Sequence, residues 1–185
     1  YATDVFQPLF LRLEELSGHA YQDIYPDPGA DRAGFSPELK RAIAFRVIAD
    51  HLRTLAFSIA DGILPGNTGR NYVLRRILRR AVRRGWSMGI EGSFLNQLSA
   101  VVTDHYQKQY PLLHDARERV ALALQAEEER FEATIGGGMN RFEDAVERAR
   151  AAGETSRSRM RTASRIEAGR VSSLASQPSH VPSCR

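Results

Sequence analysis

Between Asp61 and Arg84 the chain reads DGILPGNTGRNYVLRRILRRAVRR, a loop followed by a helix with two unlike faces. At about 100° per residue, Arg75, Arg76, Arg79, Arg80, Arg83 and Arg84 take one half of the circumference. Val73, Leu74, Ile77, Leu78, Ala81 and Val82 take the other. Arg70 adds a positive charge just upstream, and no acid lies in the sequence between Asp61 and Glu91. A helix of this kind must lay its aliphatic half on a core and leave its arginine half outside.

The arginine half sets like charges four residues apart, which costs a few tenths of a kcal/mol per pair on an isolated helix. A polyanion offsets that cost. Phosphate suits it, because the guanidinium is always charged and its fork matches phosphate oxygens. The pattern therefore favours a nucleic-acid partner over an ordinary core helix with a solvated basic face. A membrane-surface helix fits less well, since the apolar side lacks the Trp and Phe of such anchors. The formal net charge is only +4, so the arginines form a local basic patch on a chain of ordinary balance.

The remaining chain also reads as helical. Val5, Phe6, Leu9, Phe10, Leu13 and Leu16 recur at helical spacing up to a stop at Gly18, and residues 26–35 form a proline- and glycine-rich loop. Ser36-Pro37-Glu38 is a helix start, with an N-cap serine, a proline at the first position and an acid in the first turn. The helix it opens runs to about Ala60, with Lys40, Arg41, Arg46, Asp50 and Arg53 mainly on its polar side. Gly62, Pro65, Gly66 and Gly69 make the next loop freely bending, and Gly85 closes the arginine helix. Residues 94–109 carry another helical pattern, which Pro111 interrupts. From Leu112 to about Ala152 an apolar track of Leu113, Ala116, Val120, Leu124, Phe131, Ile135, Phe142 and Val146 marks one long helix or two in series. Gly136, Gly137 and Gly138 place a kink there, and Glu127-Glu128-Glu129 reads as a solvated face. Residues 153–185, rich in serine and arginine and without an aromatic residue, read as a disordered tail. The fold class is all-α, a helical bundle-like arrangement.

Chemistry of other kinds has little support. The five histidines show no ligand spacing, so no bound metal is expected, and His51 reads as a satisfied structural residue beside Asp50. GNTGR lacks the ending of a Walker phosphate loop. The single cysteine, Cys184, allows no internal disulfide and is a poor nucleophile candidate in such a tail. No apolar run reaches the ~18 residues of a membrane span, so no membrane partner is expected. The chain starts at Tyr1, not Met, and reads as a piece of something longer.

Phe45 to Gly85, FRVIADHLRTLAFSIADGILPGNTGRNYVLRRILRRAVRRG, closely resembles the signature of alanyl-tRNA synthetases. The opening YATDVFQPLF and the stretch EEERFEATI, Glu127 to Ile135, are similar to two further segments of that family. The likeness covers roughly residues 1–153. It implies a parent that activates alanine with ATP and Mg, attaches it to tRNA(Ala), and works in the cytoplasm. Residues 1–35 then correspond to the end of the aminoacylation domain and a linker, and residues 36–152 to a helical domain that grips the tRNA acceptor stem. The ATP and alanine site lies outside this chain, in the remaining domains of the parent.

The resemblance also implies roles for individual residues. The family identifies its tRNA by a G·U wobble pair, with an asparagine in the loop before the arginine helix helping to read it. Asn67 is the match. An amide offers donor and acceptor together, and RNA stems are read from the shallow minor groove, with phosphate and 2′-OH contacts holding register. Register falls to Arg70, Arg75, Arg76, Arg79, Arg80, Arg83 and Arg84, of which only some touch RNA, because half a helix face is wider than one backbone track. Asp50 and Arg53 orient the loop or the arginines. Asn71 stands where the family has glycine, which removes some backbone freedom. After Thr155 the sequence departs from the family altogether. It lacks the segment whose aspartate helps read the same pair, and it reads as out of frame from there. The alternatives are a non-catalytic helical RNA-binding module and a helical protein-interaction fragment.

Overall fold

The computed structural model describes residues 1–151, and these form six α-helices and one 3₁₀ turn, with no strand among the described residues. The helices are α1 (Gln7–Ser17), α2 (Pro37–Ala60), α3 (Gly69–Trp86), α4 (Leu95–Tyr106), α5 (Pro111–Asp115) and α6 (Arg117–Ala151). The helical fold class is thus the observed one. The expected disordered tail, 153–185, lies outside the described residues. Two compact units divide the chain, Tyr1–Thr134 and Ile135–Arg185.

Helix α2 is the axis of the first unit. Ser36 caps it by accepting from the Leu39 N–H at 3.2 Å, and Pro37 occupies the first helical position, where its missing N–H costs nothing. The helix buries Phe45, Ile48, Leu52, Leu55 and Ile59 completely. Each is worth roughly 1.5–3 kcal/mol relative to an exposed side chain, which outweighs any surface ion pair on the opposite face. It packs most extensively on α3, then on α4, with α1 and α5 closing the sides. At its end Gly62 adopts φ +85°, and the Arg119 Nη2 donates to the Ala60 carbonyl at 2.7 Å.

The N-terminal segment is tied to the same core. Leu9, Phe10 and Leu13 of α1 are buried with α2, and Gly18 ends α1 in the left-handed conformation with its N–H on the Glu14 carbonyl. Arg46, expected on the polar side of α2, is instead 6% exposed. It donates to the Tyr21 hydroxyl at 3.2 Å and to the Ile24 carbonyl at 2.9 Å, and it lies over the Tyr25 ring. A buried guanidinium needs such partners, and here it fastens the strand-free stretch 19–25 onto α2.

Several local expectations are corrected. Gly85 does not end α3, which runs on to Trp86; it is buried inside the helix, where a Cβ would overlap the Phe94 ring. Close approach, not a turn, requires glycine there. Pro111 starts α5 as well as interrupting the chain before it. Val73, placed on the apolar half of α3, is 53% exposed, while Leu74, Leu78, Ala81 and Val82 are buried. Glu127 and Glu128, expected on a solvated face, are each only 2% exposed; Glu129 alone faces solvent. Helix α6 continues through Gly136, Gly137 and Gly138 without a break. In the second unit the described residues, 135–151, are the last turns of α6. Ile135 and Phe142 there are 43% and 60% exposed, so the expected apolar track is buried only as far as Phe131.

Candidate nucleic-acid interface

Helix α3 sorts its arginines into two sets. Arg76, Arg80 and Arg83 are exposed, as are Arg70 and Asn67 ahead of them. Arg75 and Arg79 turn the other way, toward α6. The Arg79 Nε and Nη2 both donate to the Glu127 Oε1, at 3.2 and 2.9 Å. The Arg75 Nε is 2.9 Å from the same oxygen but off the hydrogen-bond line, so the contact is ionic. Arg130 completes the cluster on the Glu127 Oε2 at 3.1 Å. Three guanidiniums therefore surround one buried carboxylate. The absence of acids along α3 does not leave its charges uncompensated, because the fold delivers an acid from 48 residues downstream of Arg79.

The loop before α3 is held by its own short-range geometry. The Gly66 N–H donates to the Asn71 carbonyl at 2.9 Å, and a Cβ on Gly66 would sit 2.8 Å from the Asn71 Cβ. Gly66 is thus glycine because Asn71 lies against it. Gly69 takes φ +52° at the helix start, and Asn71 is an ordinary helical residue with no left-handed strain. Asn67 projects from this loop, and the Arg75 Nη1 donates to its Oδ1.

Along the exposed side, Arg76, Arg79, Arg80, Arg83 and Arg84 line a groove of ≈ 610 Å³ with Ser87 and Phe131. Phe131 stacks on Trp86, ring centroids 5.4 Å apart, and the Arg79 guanidinium lies 4.9 Å from the Phe131 centroid. Aromatic packing and Glu127 thus both fix Arg79 in place. A second depression of ≈ 270 Å³ shares Arg84 and Ser87 and adds His19, Lys40 and Arg41, so the cationic surface extends onto the first turns of α2. The groove wall contains no acid.

The other two candidate residues sit apart from that groove. Asp50 accepts from the Tyr1 hydroxyl, an interaction that pushes the Tyr1 pKa up to about 12, with burial adding to it. Arg53 lies between the Phe6 and Tyr106 rings, 5.1 and 5.7 Å from their centroids, and its Nε is buried without a partner. Neither side chain is hydrogen-bonded to the loop or to an α3 arginine among the described residues. The residue with that function, Glu127, was hidden in the sequence by its neighbours in a run of three acids. His51 is half-buried; burial first, then the Arg80 charge, lowers its pKa, and no hydrogen bond satisfies it among the described residues. No group of three or more His, Cys, Asp or Glu that could hold a metal ion occurs among the described residues. No described helix is long and apolar enough to cross a membrane.

The groove thus concentrates positive charge on one side of a helical scaffold. Comparison with known proteins gives the class. The family model of class II (A) tRNA synthetases matches residues 1–161, past the residue 153 where the likeness was expected to end. The chain belongs to this family. It is 54% identical over 144 residues to an alanine–tRNA ligase of Akkermansia muciniphila, covering 77% of this chain and 15% of that protein. It is 46% identical over 154 residues to one from Chlorobium luteolum and 38% identical over 154 to one from Leuconostoc citreum, covering 83% of this chain and 16% of the relative in both cases. The chain therefore spans about one-sixth of the length of the curated relatives it matches.

Proposed function

We propose that this chain is the part of an alanine–tRNA ligase that recognises the acceptor stem of tRNA(Ala), in a parent that attaches alanine at the expense of ATP in the cytoplasm. The groove of five arginines on α3, the helix that the Asn67 loop leads into, carries this reading. Asn67 reads the G·U pair. The outward Arg70, Arg76, Arg80 and Arg83, with Arg84 at the groove's far end, hold phosphates. Arg75 sits behind them and Arg79 lines the groove wall, both fixed through Glu127, and Asp50 and Arg53 support α2 underneath. Residues 1–35 are the end of the aminoacylation domain, 36–152 the helical recognition domain, and 153–185 an out-of-frame tail. ATP with Mg is bound by the remaining domains of the parent.

The test is filter binding of the 185-residue chain to tRNA(Ala). Each neutralised phosphate releases counterions, so with about five contacts the affinity should fall on the order of 500-fold between 50 and 200 mM salt. Reversing Arg76, Arg80 and Arg83 to Glu should abolish both the binding and its salt slope. The chain alone should catalyse no alanine-dependent pyrophosphate exchange. Affinity that does not move with salt contradicts the reading.

A further inference from the structure

Arg75 is the one α3 arginine bonded at both ends. Its Nε faces Glu127, and its Nη1 donates to the Oδ1 of Asn67. Its side chain is only 12% exposed, so it has little surface to offer a phosphate. Glu127 is itself buried and held by Arg79 and Arg130 from two further directions. The row Glu127–Arg75–Asn67 thus runs from a fixed point on α6 to the tip of the loop. An amide has one acceptor oxygen and one donor nitrogen. With the oxygen taken by Arg75, the nitrogen of this exposed residue has no partner among the described residues.

We propose that Glu127 and Arg75 are positioning residues that fix the Asn67 amide with Oδ1 inward and Nδ2 outward, so that the loop presents a hydrogen-bond donor to the RNA. This rests on the reading of Asn67 as the specificity residue. It names what that residue recognises: an acceptor on the shallow-groove edge of the stem, such as a base O2 or N3 or a ribose 2′-oxygen. It also separates the arginines by task. The outward set sees phosphate and is indifferent to sequence, while Arg75 acts on sequence through Asn67. Pinning the amide in advance removes the cost of ordering it on binding. The backbone bond from Gly66 to Asn71 does the same for the loop that carries it.

The experiment measures affinity of the 185-residue chain for two acceptor-stem duplexes, one with the G·U pair of tRNA(Ala) and one with G·C in its place. The quantity read is their ratio. Glu127→Gln should lower that ratio about tenfold, the scale of a coupled neighbour pair, and should lower it no further in an Asn67→Ala background. Arg75→Lys keeps the charge but has no fork to span Glu127 and Asn67, so it should lower the ratio equally, and it carries the test where Glu127→Gln fails to fold by circular dichroism. Asn67→Asp keeps the oxygen that Arg75 grips and removes the outward donor, and should lose the ratio in full. Equal weakening of both duplexes by Arg75→Lys, or a loss that adds fully to Asn67→Ala, overturns the proposal. A wild-type chain that does not distinguish the duplexes overturns instead the reading on which it rests.

Discussion

Glu127 and Glu128 are neighbours on α6, are equally buried, and are held by opposite kinds of partner. Around Glu127 the partners are guanidiniums from α3 and α6, already charged. Around Glu128 they are backbone amides: the N–H groups of Phe94 and Leu95 donate to its two oxygens at 3.3 and 3.1 Å. These are orphan donors at the start of α4, whose N-cap side chain, Phe94, has nothing to offer them. One turn of α6 thus organises two other helices, α3 by ion pairing and α4 by capping. Amides compensate a buried charge less fully than cations do. Burial, helped by Glu132 and Glu129, pushes the Glu128 pKa up to about 7 against the two N–H donors. Equal depth therefore does not mean equal electrostatics, and the difference is open to measurement.

The largest effect should come from the Glu127 side. Replacing Glu127 with Leu leaves Arg75 and Arg79 facing an apolar wall without their shared anion. Removing one member of a buried ion cluster is costly because the other members stay charged, and the loss should be about 3 kcal/mol in urea unfolding at neutral pH. Both arginines keep some exposure, which holds the figure at the low end of such changes. A loss below about 1 kcal/mol would mean that solvent already compensates the arginines, and the contrast with Glu128 would collapse.

A smaller loss should follow from disturbing the Glu128 side without touching the carboxylate. Gly85 lies against the Phe94 ring, and Phe94 supplies one of the two N–H donors. Gly85→Ala pushes that ring away. Overpacking of this kind costs about 1–3 kcal/mol, and the better helix propensity of alanine returns about 1; with a Cβ that would overlap the ring the upper end applies, for a net loss of about 2 kcal/mol. If the capping depends on Phe94 as the distances imply, amide exchange at Phe94 and Leu95 should accelerate more than at residues of α3. Uniform acceleration would disconnect Gly85 from the cap.

What was legible in the sequence, and what was not, follows from the range of each interaction. Ser36-Pro37 announced the start of α2 because a cap acts over three residues. The two faces of α3 were visible because helical periodicity is local, although the exposure of Val73 was not, since periodicity does not say how much of a face its neighbours cover. Gly85 was misread as a stop because a glycine required by a distant ring looks the same in sequence as one required by a turn. The α3 partners of Glu127 lie about 50 residues away, and the partners of Glu128 more than 30. No local pattern separates two such glutamates from the solvated Glu129 beside them. The groove could be expected from the arginine count, but the division of its arginines into outward and inward sets could not, because it is decided by α6.

The substitution with the smallest effect at fixed pH, and the one most specific to the comparison, is at Glu128. In the unfolded chain its carboxyl titrates near the ordinary 4.5, and in the folded chain near 7. Between those values the folded state holds the proton and the unfolded state does not. The free energy of unfolding therefore falls as pH rises from about 4.5 to 7 and is flat above, by the linkage between bound protons and stability. Glu128→Gln removes the titration while keeping one acceptor for the α4 amides. At pH 8 it should change stability by no more than about 1 kcal/mol, because relief of a buried charge offsets a lost hydrogen bond. Its signature is the slope: wild type minus variant should decline between pH 4.5 and 7. His51, whose lowered pKa makes stability rise with pH near 6.5, is present in both proteins and cancels in the difference. A difference that stays level between pH 4.5 and 7 would show that the α4 amides compensate the buried Glu128 charge in full.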